Sequence, residues 1–170
     1  MNAVKRAVIG ITTAALFAGF APVTTATAQT SGDACWDVKG SERGFAKRIN
    51  NVRGLAKRGS LRLDPELSRA ARLHTREMVK QDKLYHTPSD KLSKRVTNWT
   101  ILGENVGVGG DVDSLHAAFM ASPAHADNVL YDSFRHMGVG VIKDGDKMWV
   151  TIIFEAQTNP GTILSMPKGC

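Results

Sequence analysis

The chain has two cysteines among 170 residues, Cys35 and Cys170. Two thiols cannot build a disulfide-dense scaffold, and their places near the two ends speak against a catalytic cysteine. The apolar run from Ala7 to Ala21 stops at 15 residues, short of the ~20 that a spanning helix needs. There is no internal repeat and no long low-complexity tract. No Gly-Lys-Ser/Thr loop occurs, and no glycine spacing of the dinucleotide kind. A His-Glu-x-x-His helix and a Gly-x-Ser-x-Gly elbow are also missing. No nucleic-acid-binding module is recognisable, so nucleic acid is not expected as a partner.

What is present begins with an export signature. Lys5 and Arg6 precede the apolar run, and Ala26-Thr27-Ala28 supplies a small-x-small cleavage site. Residues 1–28 are expected to be a secretory signal peptide, leaving 29–170 as a secreted, extracellular chain with no transmembrane segment. No cysteine adjoins the cleavage region, which argues against a lipid-anchored precursor. In an exported chain, Cys35 and Cys170 are expected to form one disulfide tying the ends together. A loop of that length allows about 4–5 kcal/mol in the chain-entropy model. Without the signal, 20 basic side chains face 16 acidic ones, a net charge of about +4. The early cluster of Lys39, Arg43, Lys47, Arg48, Arg53, Lys57, Arg58 and Arg62 reads as a solvated helix face or as a weak attraction for anionic surface polymers and lipid headgroups.

Residues 29–41 read as an N-terminal extension, and 42–170 as one domain of ordinary size. Phe45, Ile49, Val52 and Ala56 recur at helical spacing, predicting a helix over 42–57 capped by Ser41 and stopped by Gly59. Asp64-Pro65 is the strongest helix start in the chain. Leu67, Ala71, His74 and Met78 share a face of that second helix, which is expected to reach about Asp82, with His74 a hydrogen-bonded core residue. Pro88 turns His86-Thr87 away from continued helix. Residues 89–100 read as a surface connection with room for one short turn, and Trp99 as an anchor to the core.

The glycines at 103, 107, 109 and 110 suggest close backbone approach around Glu104. Asp111 or Asp113 is expected to cap a third helix carrying Leu115 and Phe119. Ser122-Pro123 ends it and opens a short fourth helix through about Val129, with Ser122 as cap. Val139 and Val141 then mark a strand, 143–146 a hairpin turn, and 147–155 a second strand. A hairpin behind several helices predicts a layered α/β or α+β domain.

Glu104, His86 and His125 are the candidate site. Two imidazoles and a carboxylate could hold zinc or another divalent metal, or run general acid–base hydrolysis. They could equally form a polar network that only specifies packing, with Glu104 accepting from the 105–107 turn and from His125. A Ser133–His125–Glu104 nucleophile arrangement has little to recommend it. Ser122 is expected to be spent on capping.

Taken in order, Asn51-x-Arg53, the Leu67/Ala71/His74/Met78 helix ending in His86-Thr87-Pro88, Gly103-Glu104-Asn105, Ser122-Pro123-x-His125 with Asn128, Gly138-Val139-Gly140-Val141 and Trp149/Phe154 resemble the CAP superfamily. This is the group of cysteine-rich secretory, antigen 5 and pathogenesis-related proteins, here in the form of its small secreted bacterial members. The resemblance implies a three-layer α-β-α sandwich with a central antiparallel sheet. It also implies a further strand around 99–102 or 106–109, and a turn at Asp144-Gly145. It implies a cleft of two histidines and two acidic residues, of which His86, Glu104 and His125 match three. No Asp or Glu lies between Asp113 and Asp127, so the second acid is missing. Phe119 stands where an aromatic, often Trp, is usual. The expected function is therefore an extracellular ligand-binding or interaction domain, for lipid, amphiphile or cell-envelope components, rather than an efficient enzyme. The alternative is a metal-assisted hydrolase or protease using the same three residues.

Overall fold

The structure is a computed structural model and describes residues 36–157. The expected signal peptide, Cys35, Cys170 and the bridge between them lie outside the described residues.

Helix α1 spans Gly40–Leu55. It starts before Ser41 because Glu42, not Ser41, closes its first turn, accepting from Lys39 N–H at 2.9 Å. Phe45, Ala46 and Ile49 are buried as the spacing predicts, but so is Arg53. Its guanidinium donates to the carbonyls of Gly59, Val129 and Tyr131 at 2.7–2.9 Å. Burial lowers its pKa from the ordinary value, and these three acceptors replace the lost water. A two-residue strand β1 (Arg62–Leu63) follows, too short to have left a periodic signal.

Helix α2 (Pro65–Gln81) begins as expected, with the Asp64 carboxylate accepting from Glu66 and Leu67 N–H. It ends at Asp82, whose φ of 44° reverses the chain. The predicted surface connection contains a helix of its own, α3 (Ser89–Arg95). Trp99 is not an anchor: it is 40% exposed, and Leu92 and Val96 are the buried residues there. Trp99 instead donates from Nε1 to Ser93 O at 3.3 Å.

Strand β2 (Ile101–Gly109) runs through the whole glycine-rich segment. Residues 103–107 therefore lie within the strand, and the turn expected at 105–107 is absent from it. Glycine depresses strand propensity, which hid the strand from the sequence pattern. Helix α4 (Val112–Ala121) is capped by Asp111, and α5 (Pro123–Leu130) follows. Ser122 sits at the N-cap of α5, but its side chain makes no capping bond. Strands β3 (His136–Asp144) and β4 (Lys147–Ala156) form the hairpin. Asp144 pairs with Lys147, so the turn is Gly145-Asp146, one residue later than expected. Gly145 takes the positive φ of 57° that the first position of such a turn requires.

The sheet order is β1-β3-β4-β2. The β3/β4 and β4/β2 pairs are antiparallel, with β1 a short parallel addition at the far edge. Alternate residues of β4 serve opposite layers. Met148, Val150, Ile152 and Phe154 join a core with α1, α4 and α5. Ile153 packs with α2 and α3, and Trp149 with Met78 of α2. Helices thus cover both faces, giving a three-layer α-β-α arrangement around an antiparallel centre. Helix α2 lies so close to β3 that a Cβ on Gly138 would sit 2.1 Å from the Leu67 carbonyl carbon. One on Gly140 would sit 2.3 Å from Arg72 N. The layers are also tied by Arg72 of α2, which donates to both oxygens of Glu42 on α1.

Candidate functional site at the edge of the sheet

Among the described residues, strand β2 pairs only with β4, so its other side is an edge of the sheet. Successive side chains of a strand point to opposite faces, and Glu104 and Asn105 use that alternation. Glu104 turns toward the α2 side and Asn105 toward the α5 side.

On the first side, the segment after α2 is drawn inward by His74. This residue is fully buried, as its helical position predicted, and its Nε2 bonds to Tyr85 O at 2.7 Å. Its ring meets that of Tyr85 edge-on at 4.9 Å. The next two residues reach Glu104. Oε2 of Glu104 accepts from His86 Nδ1 at 2.9 Å and from Thr87 N–H at 2.8 Å. Oε1 accepts from the Thr87 hydroxyl at 2.5 Å. Three donors thus converge on one buried carboxylate. His86 itself is 59% exposed at the side chain. A carboxylate at Nδ1 holds a proton on that nitrogen and so fixes the orientation of the ring.

On the second side, Asn105 is fully buried and donates from Nδ2 to His125 O at 3.1 Å. Asn128 donates to the Asn105 side-chain oxygen at 2.9 Å and to Glu104 O at 3.1 Å. The start of α5, and with it His125, is pinned to the strand edge by two amides. The His125 ring packs 5.0 Å from Phe119, and its buried Nδ1 has no hydrogen-bond partner. Its pKa is lowered, first by burial and second by the positive charge of His86. The two imidazoles therefore lie within electrostatic reach across the edge.

Of the three residues singled out, His86 and Glu104 are in direct contact, while His125 bonds to neither. Glu104 accepts from His86 and Thr87, not from His125 or from a turn at 105–107. The zinc reading does not fit this donor set. Among the described residues, no group of three or more His, Cys, Asp and Glu could hold a metal ion. The carboxylate that would be the third ligand is already taken by three donors. Neither Ser122 nor Ser133 bonds to an imidazole. The residues that sequence reasoning passed over are Thr87 and Asn105, which hold the two sides in place.

The model of the cysteine-rich secretory protein family, CAP, matches residues 46–154. The chain belongs to that family. It is 27% identical over 132 residues to the uncharacterized protein YkwD of Bacillus subtilis, covering 74% of this chain and 51% of that protein. The chain thus spans about half the length of that relative. Its fold is similar to that of an outer surface protein of Borrelia burgdorferi, with a TM-score of 0.66 at 15% identity over 74% of this chain and 98% of that one. It is also similar to an extracellular protein containing a SCP domain from Bacillus anthracis. There the TM-score is 0.63 at 22% identity, over 69% of this chain and 41% of that one.

Proposed function

We propose that this CAP domain is an extracellular ligand-binding module whose ligand sits between His86 and His125, and that the ligand is a lipid, an amphiphile or another cell-envelope component. The observation that carries this reading is the contrast between the two imidazoles. Glu104 fixes His86 and leaves its ring largely exposed, while His125 is half-buried against the ring of Phe119, its inward Nδ1 without a partner among the described residues. A polar head meets the exposed His86 imidazole and the half-buried His125 ring, whose Nδ1 itself is inaccessible. The basic, apolar, small-x-small start of the chain and the extracellular or outer-surface relatives support an extracellular setting.

We read the site as binding rather than turning over its ligand. Among the described residues, no hydroxyl bonds to either imidazole as an activated nucleophile would. No second acid stands ready to protonate a leaving group, and the metal-assisted alternative lacks its ligand set. Native mass spectrometry of the protein recovered from its culture medium, followed by extraction, tests the reading. A bound species that is lost in His125→Ala and retained in an exposed control such as Lys143→Ala is the expected result. An empty protein that also takes up nothing from lipid or envelope extracts would overturn it.

A further inference from the structure

The basic cluster at the start of the domain is the obvious place to look for a charged surface, but the structure spends much of it internally. Arg53 is buried on backbone carbonyls. Arg48 pairs with Asp113 and Arg58 with Asp132. A different row stands out. The buried residues of α2 (Leu67, Ser68, Ala70, Ala71, His74, Thr75 and Met78) define one face. At 100° per residue, Arg69, Leu73, Arg76 and Lys80 fall on the opposite one, and Lys83 follows just past the C-cap of the helix. Arg76, Lys80 and Lys83 are exposed and have no ion-pair partner among the described residues. Arg69 lies on the same face and has an interaction of its own.

The acids close to this face are engaged elsewhere. Glu66 accepts from Thr97. Glu77 holds Arg95 and His74, and Asp82 reaches Lys147. Two leucines stand beside the cations: Leu73 is 38% and Leu84 44% exposed. Leu84 is two residues before His86, so the row runs up to the rim of the cleft.

We infer that the solvent face of α2 is a docking surface for an anionic lipid bilayer, which brings the His86 side of the cleft to the membrane. Cations on one helix face are attracted to the negative potential of anionic headgroups. The bilayer is favoured over a soluble polyanion because Leu73 shares that helix face and Leu84 is exposed just past the end of the helix, and apolar side chains gain only where an acyl boundary can receive them. No helix among the described residues is long and apolar enough to cross a membrane, and none is needed for attachment of this kind.

Vesicle co-sedimentation of protein expressed from the full chain tests the inference. Vesicles of phosphatidylcholine mixed with phosphatidylglycerol should carry the protein down at low salt. Pure phosphatidylcholine vesicles should not, and added salt should release it. Affinity should fall about fivefold for each cation removed, so R76Q/K80Q/K83Q should lose about a hundredfold. These positions are exposed, and an unchanged thermal melt would show that the fold is intact. Leu73→Ser with Leu84→Ser should weaken vesicle binding while leaving any retention on soluble polyphosphate unchanged. Absence of binding to the anionic vesicles, equal binding to neutral ones, or full binding by the triple variant would overturn the inference. So would insensitivity to the leucine pair, which would point to a soluble polyanion instead. None of these readouts uses a cleft ligand, so failure here is distinct from failure of the His86/His125 reading.

Discussion

Two buried glutamates on neighbouring strands meet opposite fates. Glu104 on β2 and Glu155 on β4 both lie on the α2 side of the sheet. Glu104 receives three donors within 2.9 Å. Glu155 is completely buried, and neither of its oxygens has a hydrogen-bond partner among the described residues. His136 stands 3.2 Å from it, yet its Nδ1 is also unpartnered, so the pair is close without being aligned. Burial, then the nearby charges of Asp64 and Glu66, push the Glu155 carboxyl up to about 7. His136 is pushed down, by burial first and by Arg62 second. A carboxylate with donors on both oxygens is a structural clamp, whereas one without donors is better off as the neutral acid.

Removing the clamp should have the largest effect. Glu104→Ala leaves the buried Thr87 N–H without an acceptor and frees His86, which should cost about 3 kcal/mol or more in urea unfolding. It should also abolish ligand retention by the cleft. A cost near zero would mean that Glu104 does not organise the 86–87 segment.

Glu155→Gln should act in the opposite direction. The folded-state pKa of Glu155 lies above its unfolded value of 4.5, so folding favours the protonated form. Its ionisation therefore erodes stability as pH rises from about 4.5 to 7, by roughly 3 kcal/mol at most. A glutamine side chain cannot ionise, so the variant should match the parent at acid pH and exceed it increasingly up to pH 7, with a constant gap beyond. Parallel unfolding curves for the two proteins across that range would mean that Glu155 is not held neutral.

The two glutamates also mark what the sequence made legible. Helix starts were readable where a cap has a local signature, as at Asp64-Pro65. The hairpin was readable because Gly145 and alternating Val, Ile and Thr are short-range signals. Glu104 and His86 were found through their motifs, and neither the spacing nor the residue types showed that they touch. Strand β2 was implied only by the family resemblance and left no pattern of its own, because Gly103, Gly107 and Gly109 dilute it, although Phe134, Phe119 and Leu115 press on those same glycines. Glu155 passed as the polar end of a strand, since its burial depends on α2 crossing over β3 and β4. Arg53 passed as a solvent-facing base for a similar reason: its acceptors come from residues 59, 129 and 131. Contacts between distant segments leave little trace in local periodicity, and both buried charges depend on them.

A smaller effect separates the parts of the clamp. Thr87→Val removes the hydroxyl that serves Oε1 but keeps the backbone N–H on Oε2. The expected loss is about 1–2 kcal/mol, with His86 still held. If Thr87→Val were as damaging as Glu104→Ala, the hydroxyl bond would carry the whole clamp and the histidine contact would be incidental.

The smallest expected effect tests whether the clamp sets the electrostatics of the far side of the cleft. His125 sits below its ordinary pKa through burial and, second, through the charge of His86. Burial is unchanged by His86→Asn, which removes only the second cause and keeps a polar side chain beside Glu104. The His125 pKa, followed by the ring-proton shifts in an NMR titration, should therefore rise in that variant but stay below the ordinary histidine value. The stability contribution follows the same sign. A histidine lowered in the folded state costs stability as pH falls through its unfolded value, near 6.5. That acid loss should be slightly smaller in His86→Asn. A titration of His125 identical in the two proteins would show that the imidazoles do not share one field, and the cleft would then be two separate sites on either side of β2.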